Sequence, residues 1–174
     1  MEIHFDKYQG AGNDFILLDN REGNYTNLTM GQRKSLCNRN MGIGADGLIL
    51  IVNSTEADFE MRYFNSDGNL STLCGNGGRC AVAFAHHKKM IGEETRFMAI
   101  DGIHRAQLVS SDLVRLEMQE VHSFTSYDAA VVTDTGSPHY VQLVKEAATI
   151  DVQKEGAAIR YSEAFAPAGI NVNF

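Results

Sequence analysis

The stretch LCGNGGRCAVAFAHH, residues 73–87, decides how the chain around it must fold. A glycine-rich turn over residues 75–78 leads into residues 80–85, which are apolar on every side. A helix without a polar face is stable only where other elements surround it. We therefore expect a helix over residues 76–90 that is wrapped by the strands on either side of it in the sequence.

Strand patterns flank this helix on both sides. GLILIVN, residues 47–53, has the compact apolar pattern of a buried strand, and DFEMRYFN, residues 58–65, alternates between two faces before an NSDG turn. Further strands are predicted over residues 3–10, 15–20, 95–100, 102–109 and 113–120, with a short surface helix over 28–40. The pattern loosens over residues 121–128, which predicts a boundary, and a strand series (129–144), a helix (152–165) and a strand (169–174) follow.

Composition narrows the class of protein. The chain has 174 residues, 44% of them hydrophobic, and a net charge of −7 without a long basic run, which argues against a nucleic-acid partner. No apolar run is long enough to span a bilayer and the N-terminus lacks a signal-peptide pattern, so we expect a cytoplasmic protein without a membrane partner. The three cysteines do not have zinc-site spacing, and we expect free thiols and no metal.

Cys74 is the cysteine with a candidate chemical role. It lies where the chain turns into the predicted helix, so its sulfur can face the first unpaired N–H groups, which favour a thiolate and can also bind a carboxylate. Gly75, Gly77 and Gly78 would let a ligand approach the backbone closely. Cys37 and Cys80, which lie inside helical patterns, are interpreted as ordinary buried residues.

Asparagines at predicted strand ends extend this candidate site. Asn13 in GAGNDF, Asn65 in FNSDG and Asn171 in GINVNF are each typical turn formers when considered alone. Together with Asn76 they supply neutral donors and acceptors suited to a zwitterionic amino acid.

The segment GIGADG, residues 42–47, matches the spacing of a dinucleotide-binding loop. That motif needs a strand before it and a helix after it, whereas here a helical pattern precedes and a strand pattern follows. We interpret it as a tight turn that feeds a strand.

Six blocks in this order resemble the diaminopimelate epimerase family: KYQGAGNDFILLD, GIGADG, MRYFNSDGN, LCGNGGRC, TGSPH and INVNF. The resemblance implies an α/β (α+β) fold of two pseudo-symmetric domains, each with antiparallel strands around a central helix. It assigns residues 1–120 to the N-terminal epimerase domain and 121–174 to the start of a truncated C-terminal domain. It further implies a cytoplasmic homodimer of lysine biosynthesis.

The resemblance also implies a cofactor-independent isomerase, without pyridoxal phosphate, that interconverts LL- and meso-diaminopimelate through two acid/base cysteines. Cys74 matches the first of these cysteines, and His139 matches an auxiliary histidine. The remaining matches are substrate-binding positions, namely Asn13, Asn65, Gly75, Asn76, Ser137 and Asn171.

Three departures from the family pattern bear on activity. Ser137 replaces the asparagine of an Asn-Pro-His block, and Gly47 stands where some members have a substrate-contacting glutamine. The family continues with a Glu-Arg pair and a second Cys-Gly-Thr-Gly block, and no cysteine follows Cys80 here. We therefore expect the chain to be inactive alone, as a portion of a complete enzyme or as a natural half protein.

Two other functions remain open from the sequence. One is an isomerase of the related superfamily that acts on another substrate, such as a hydroxyproline or a phenazine precursor. The other is a non-catalytic module that uses the CGNG turn to bind a carboxylate.

Overall fold

The computed structural model describes residues 2–174 and divides them into two compact units, one ending at Met118 and one covering Gln119–Phe174. The assignment of 1–120 and 121–174 as epimerase domains stays a prediction. The first unit contains β1 (Asp6–Gly10), β2 (Asn13–Asp19), α1 (Met30–Cys37), β3 (Gly47–Val52), β4 (Phe59–Asn65), α2 (Gly75–His87), β5 (Glu94–Ala99), β6 (Gly102–Ser110) and β7 (Leu113–Leu116). Among residues 2–174, no helix is both long and apolar enough to cross a membrane.

The seven strands of the first unit form one sheet in chain order, from β1 to β7. Most neighbours are antiparallel, but β2–β3 and β4–β5 are parallel, because a helical crossover separates the two strands of each pair. The fold class is confirmed as mixed α/β. The expectation that the strands are antiparallel holds for four of the six neighbouring pairs, and the other two are parallel.

Helix α2 is surrounded by this sheet. It contacts both edge strands, β1 and β7, as well as β2, β3 and β4 between them. Its residues Ala81, Val82, Phe84 and Ala85 are at most 1% exposed. Full burial of a side chain as large as that of Val82 or Phe84 contributes roughly 1.5–3 kcal/mol. The prediction of a wrapped helix is therefore confirmed, and the sheet curls because its inner face must cover a cylinder.

The opposite face of β2, β3 and β4 is also covered. Tyr25, Leu28 and Cys37 join a second apolar cluster there, so every residue of β3 is buried. Helix α1 begins with a capping box in which Thr29 and Gln32 exchange side-chain and backbone hydrogen bonds. Burial on two faces explains why the β3 segment is apolar without alternation.

The second unit contains β8 (Phe124–Tyr127), β9 (Ala130–Asp134), β10 (Pro138–Val141), α3 (Val152–Arg160) and β11 (Asn171–Asn173). Its sheet has the order β11-β10-β9-β8, and its small core is built from Ala130, Tyr140 and Ile170. The loosened pattern over 121–128 hides β8, whose residues are all exposed and therefore do not alternate. The predicted helix over 152–165 ends at Arg160, where turns begin.

Candidate functional site

Cys74 is the residue immediately before α2. Its backbone is extended (φ −104°, ψ 115°), and its carbonyl accepts a hydrogen bond from the Gly78 N–H at 2.8 Å. The sulfur makes no capping hydrogen bond, and the residue is half-buried. The N–H groups of the first turn have no partner within the helix, so this end carries partial positive charge beside the thiol.

The glycines after Cys74 serve two different purposes. A Cβ on Gly77 would lie 3.2 Å from Ile49 Cδ1, and one on Gly78 would lie 3.1 Å from Leu116 Cδ2. Both glycines are buried against the sheet, so the interpretation that they open the backbone to a ligand is wrong. Of the three glycines only Gly75 is half-exposed, so it is the one at which a ligand could approach the backbone.

The sheet brings three polar residues to one of its ends. Asn13 begins β2, Asp46 directly precedes β3, and Asn65 ends β4. Because β2 and β3 are parallel and β3 and β4 antiparallel, all three positions belong to the same end, with Asn65 directly opposite Gly47.

Side-chain hydrogen bonds connect this end of the sheet to α2. Asn76 Nδ2 donates to Asn13 Oδ1 at 2.7 Å, and Asn13 Nδ2 donates to Asp46 Oδ2 at 3.2 Å. Arg79, one turn further along α2, donates to Asn76 Oδ1. The predicted grouping of Asn13 and Asn76 next to the helix start is therefore present in the structure.

An ionic cluster holds the outer end of this chain of bonds. Arg39 donates to Asp14 through two nitrogens, at 2.8 and 3.0 Å, and to Asp46 at 2.8 Å, while Lys7 lies 3.0 Å from Asp14. The Arg39 guanidinium, assisted by Lys7, holds the pKa of the Asp14 carboxyl well below its usual range. Arg39 thus anchors both carboxyl groups where Asn13 begins its strand.

Asn65 is held by a tight turn rather than by the amide chain. Its N–H donates to the Asn69 carbonyl at 2.9 Å, and its carbonyl accepts from Gly68 at 2.8 Å. Two residues earlier, Tyr63 packs edge-on against Phe15 with ring centroids 5.8 Å apart. Burial raises the Tyr63 pKa above its usual value, and the charge of a Cys74 thiolate raises it further.

Gly47 leaves no room for the glutamine that some family members have there. A Cβ at this position would lie 2.6 Å from the Phe64 carbonyl oxygen and 3.1 Å from the Tyr63 hydroxyl. A longer side chain would require the β3–β4 pair or the tyrosine ring to move.

The other two thiols are structural. Cys37 is 3% exposed and Cys80 is 4% exposed, as expected. Burial raises the pKa of each thiol to about 11. Neither is suited to act as an acid or base near neutral pH.

The second unit forms its own polar cluster. His139 in β10 is the register partner of Asn171 in β11, and Asn173 lies two residues along on the same face. Asn173 Nδ2 lies 3.0 Å from His139 Nδ1 and donates to the Tyr140 carbonyl at 3.3 Å, so this side chain connects β11 to two residues of β10. Ser137 directly precedes β10, where its carbonyl accepts from the Thr135 N–H at 3.1 Å.

Several polar residues of these clusters were not found from the sequence. They are Asp14, Arg39, Asp46, Tyr63, Arg79 and Asn173. Asp46 lies inside GIGADG, and the charged residue between two glycines was the signal that could have marked it. Across residues 2–174, no group of three or more His, Cys, Asp or Glu side chains is arranged to hold a metal ion.

Comparison with known sequences gives a consistent result. A sequence model described as diaminopimelate epimerase matches residues 5–122. The diaminopimelate epimerase of Flavobacterium psychrophilum is 49% identical over 168 residues, with 97% of this chain and 66% of that protein covered. The enzymes of the same name from Chlorobaculum tepidum (45%; 95% and 66% covered) and Aquifex aeolicus (37%; 99% and 68% covered) are also similar.

Solved structures share the fold. A probable proline racemase from Agrobacterium radiobacter superposes with a TM-score of 0.57 at 14% identity, covering 92% of this chain and 55% of that one. A phenazine biosynthesis protein of the PhzF family from Bacillus anthracis has a TM-score of 0.56 at 16% identity, covering 81% and 55%. The chain spans about two thirds of the length of the curated relatives it matches. On the match over residues 5–122 and the identities of these relatives, the chain belongs to the diaminopimelate epimerase family.

Proposed function

We propose that this chain supplies one of the two acid/base thiols of a diaminopimelate epimerase, with Cys74 as that thiol. One observation carries the proposal: Cys74 lies half-buried at the start of α2, its sulfur is free of a capping bond, and an ordered pair of asparagine amides lies beside the same helix turn. The family membership supports diaminopimelate as the substrate of this proposal.

In the proposed reaction the Cys74 thiolate takes the α-proton of the amino acid. The C–H bond breaks, a new S–H bond forms, and the electron pair delocalises into the substrate carboxylate. The partial positive charge of the α2 N-terminus stabilises the negative charge that develops on the substrate carboxylate, and the backbone N–H groups of Gly75 and Asn76 donate hydrogen bonds to it. A second thiol then returns a proton to the opposite face, which inverts the stereocentre and restores the proton balance.

The second thiol of this proposal is neither Cys37 nor Cys80. Both are buried in the core, and their raised pKa keeps them protonated at neutral pH. No cysteine follows Cys80 in the 174 residues, so the proposed partner thiol lies outside this sequence.

The remaining predicted site residues take binding roles in the proposal. Asn13, Asn65, Ser137 and Asn171 keep their predicted role as substrate-binding residues, and His139 keeps its predicted role as an auxiliary to the acid/base pair. The contact between His139 Nδ1 and Asn173 Nδ2, at 3.0 Å, supports that role because it orients the imidazole ring. We also propose that the enzyme acts without a cofactor, as a cytoplasmic homodimer in lysine biosynthesis.

Isotope exchange tests the assignment. In deuterated buffer, the protein expressed from its own reading frame should exchange the α-hydrogen of LL-diaminopimelate and form the meso isomer. Cys74→Ala should lower both rates by about 10²–10⁴-fold, the typical contribution of a positioned acid/base group. The matched control is Cys37→Ala, which removes a thiol from the second apolar cluster and should retain exchange.

Other outcomes separate the alternatives. Undiminished exchange in Cys74→Ala would refute the role of that thiol. Exchange of proline or hydroxyproline, but not of diaminopimelate, would assign the protein to a related isomerase. Saturable binding of diaminopimelate without exchange would indicate a non-catalytic carboxylate-binding module.

A further inference from the structure

Asn13 and Asn76 are neutral amides, and each could in principle present either its oxygen or its nitrogen to a ligand. Amide orientation follows from the hydrogen-bond partners, so a partner that can only accept or only donate decides it. Both ends of this amide pair have such a partner.

At one end, the Asp46 carboxylate can only accept. It receives Asn13 Nδ2 at 3.2 Å and the Asp14 N–H at 3.2 Å on one oxygen, and Arg39 at 2.8 Å on the other. The nitrogen of Asn13 must therefore face Asp46, and its oxygen must face Asn76.

At the other end, the Arg79 guanidinium can only donate. It bonds to Asn76 Oδ1, which leaves Asn76 Nδ2 as the group that donates to Asn13 Oδ1 at 2.7 Å. Two charged residues, 33 positions apart in the sequence, thus impose the same direction on one chain of amides.

The two asparagine side chains therefore donate in the same direction, from Asn76 to Asn13 and from Asn13 to Asp46. Each amide nitrogen uses one hydrogen within the chain and, among residues 2–174, neither has a second acceptor. Both asparagines therefore keep a donor available beside the α2 N-terminus, and two donors suit a carboxylate rather than an ammonium group.

We propose that Asp46 and Arg79 are positioning residues that fix the amide orientation of Asn13 and Asn76, so that both present N–H donors to a carboxylate of the substrate. This inference rests on the proposed function, because it takes the site beside Cys74 as the substrate site.

Asp46→Asn tests it with almost no change in size. The single amide oxygen of the variant cannot serve both Arg39 and Asn13, and if it accepts from Arg39 its nitrogen faces Asn13 and reverses that amide. We expect KM for LL-diaminopimelate to rise about ten- to a hundredfold with kcat little changed, because a donor to a charged group is lost. Asp46→Glu, which is still acceptor-only, should recover part of the loss.

Matched controls change the same residue types away from the amide chain. Asp112→Asn alters an exposed carboxylate in the β6–β7 turn that accepts from Ser111 Oγ at 2.5 Å. Arg115→Gln alters an exposed arginine that donates to Gln107 at 3.0 Å. Both should leave KM unchanged, whereas Arg79→Gln should raise it as Asp46→Asn does.

A second measurement does not depend on turnover. The side-chain amide ¹H–¹⁵N resonances of Asn13 and Asn76 should move in Asp46→Asn and Arg79→Gln and stay in place in the two controls. Wild-type KM in both variants, or unmoved amide resonances, would overturn the inference. If Asp46→Asn does not fold, Arg79→Gln decides by the same two measurements.

The outcomes for the two proposals are distinguishable. Turnover with a KM that neither variant changes refutes the positioning and leaves the epimerase assignment intact. A wild-type protein without α-hydrogen exchange refutes the assignment, and the amide resonances then still decide whether the charged residues orient the pair.

Discussion

Selective alkylation of Cys74 tests the assignment of one reactive and two structural thiols. Iodoacetamide reacts with thiolates, and the three cysteines occupy different environments. Cys74 is half-buried at a helix start, whereas Cys37 and Cys80 are 3% and 4% exposed inside separate apolar clusters. We expect iodoacetamide at pH 8 to modify Cys74 in the folded protein and leave the other two intact.

The low reactivity expected of the two buried thiols follows from their raised pKa values, compared with a free cysteine in solution. At pH 8 a thiol with the ordinary pKa of about 8.5 is roughly one quarter thiolate. A thiol whose pKa is about 11, as for Cys37 and Cys80, is then only about 0.1% thiolate, roughly two hundredfold less. Burial lowers their reactivity further, because the reagent must wait for local opening of the structure.

The assay is time-resolved alkylation followed by peptide mass spectrometry, with a parallel sample in concentrated urea as the control. In urea the three cysteines should react at similar rates, because the environments that separate them are gone. Alkylation of Cys80 as fast as Cys74 in the folded protein would refute the burial argument. It would also remove the reason for excluding Cys80 as a catalytic group.

Three further predictions concern stability. The free energy of unfolding should fall as the pH rises from about 8.5 towards 11 in chemical denaturation, because the two buried thiols keep their protons in the folded state and lose them in the unfolded chain. Gly78→Ala should lower the free energy of unfolding by about 1 kcal/mol, because the added methyl would lie 3.1 Å from Leu116 Cδ2 and 3.4 Å from the stiff Phe97 ring. Gly31→Ala in α1 should raise it by about 0.5–1 kcal/mol, because that methyl would meet nothing within 4 Å. Similar urea midpoints for the two variants would contradict this prediction. Arg39→Gln should reduce the loss of stability on acidification below the ordinary carboxyl range. The lowered pKa of Asp14 in the folded state stabilises the fold above the unfolded pKa, and this stabilisation is lost as the pH falls. An unchanged loss of stability at acid pH in the variant would show that the Arg39 guanidinium is not the cause.

The elements of the first unit could be predicted because their signals are local. The apolar run after Cys74 has no polar face, which by itself requires a surrounding sheet, and the unbroken apolar β3 segment requires cover on two faces. In the second unit the signal is weaker. β8 is exposed along its whole length, so no alternation marks it, and its pairing with β9 is what makes it a strand.

The glycines show where local reasoning reaches its limit. A Gly-Asn-Gly-Gly turn before a helix is compatible with ligand approach and with close helix packing, and residue type cannot separate the two. In the folded chain Gly77 and Gly78 meet Ile49 and Leu116 side chains from distant strands. Gly75 alone remains half-exposed at the helix start.

From the sequence alone follow the wrapped helix, the place of Cys74 at its start, the burial of Cys37 and Cys80, and the resemblance to the family. These properties depend on periodicity, turn chemistry and order of residues along the chain. Only the tertiary structure decided that Asn13 lies between Asp46 and Asn76, because these hydrogen bonds join residues 33 and 63 positions apart and arise from strand register and helix docking. The direction of a hydrogen-bond chain depends on which charged groups stand at its two ends, and that neighbourhood exists only after folding.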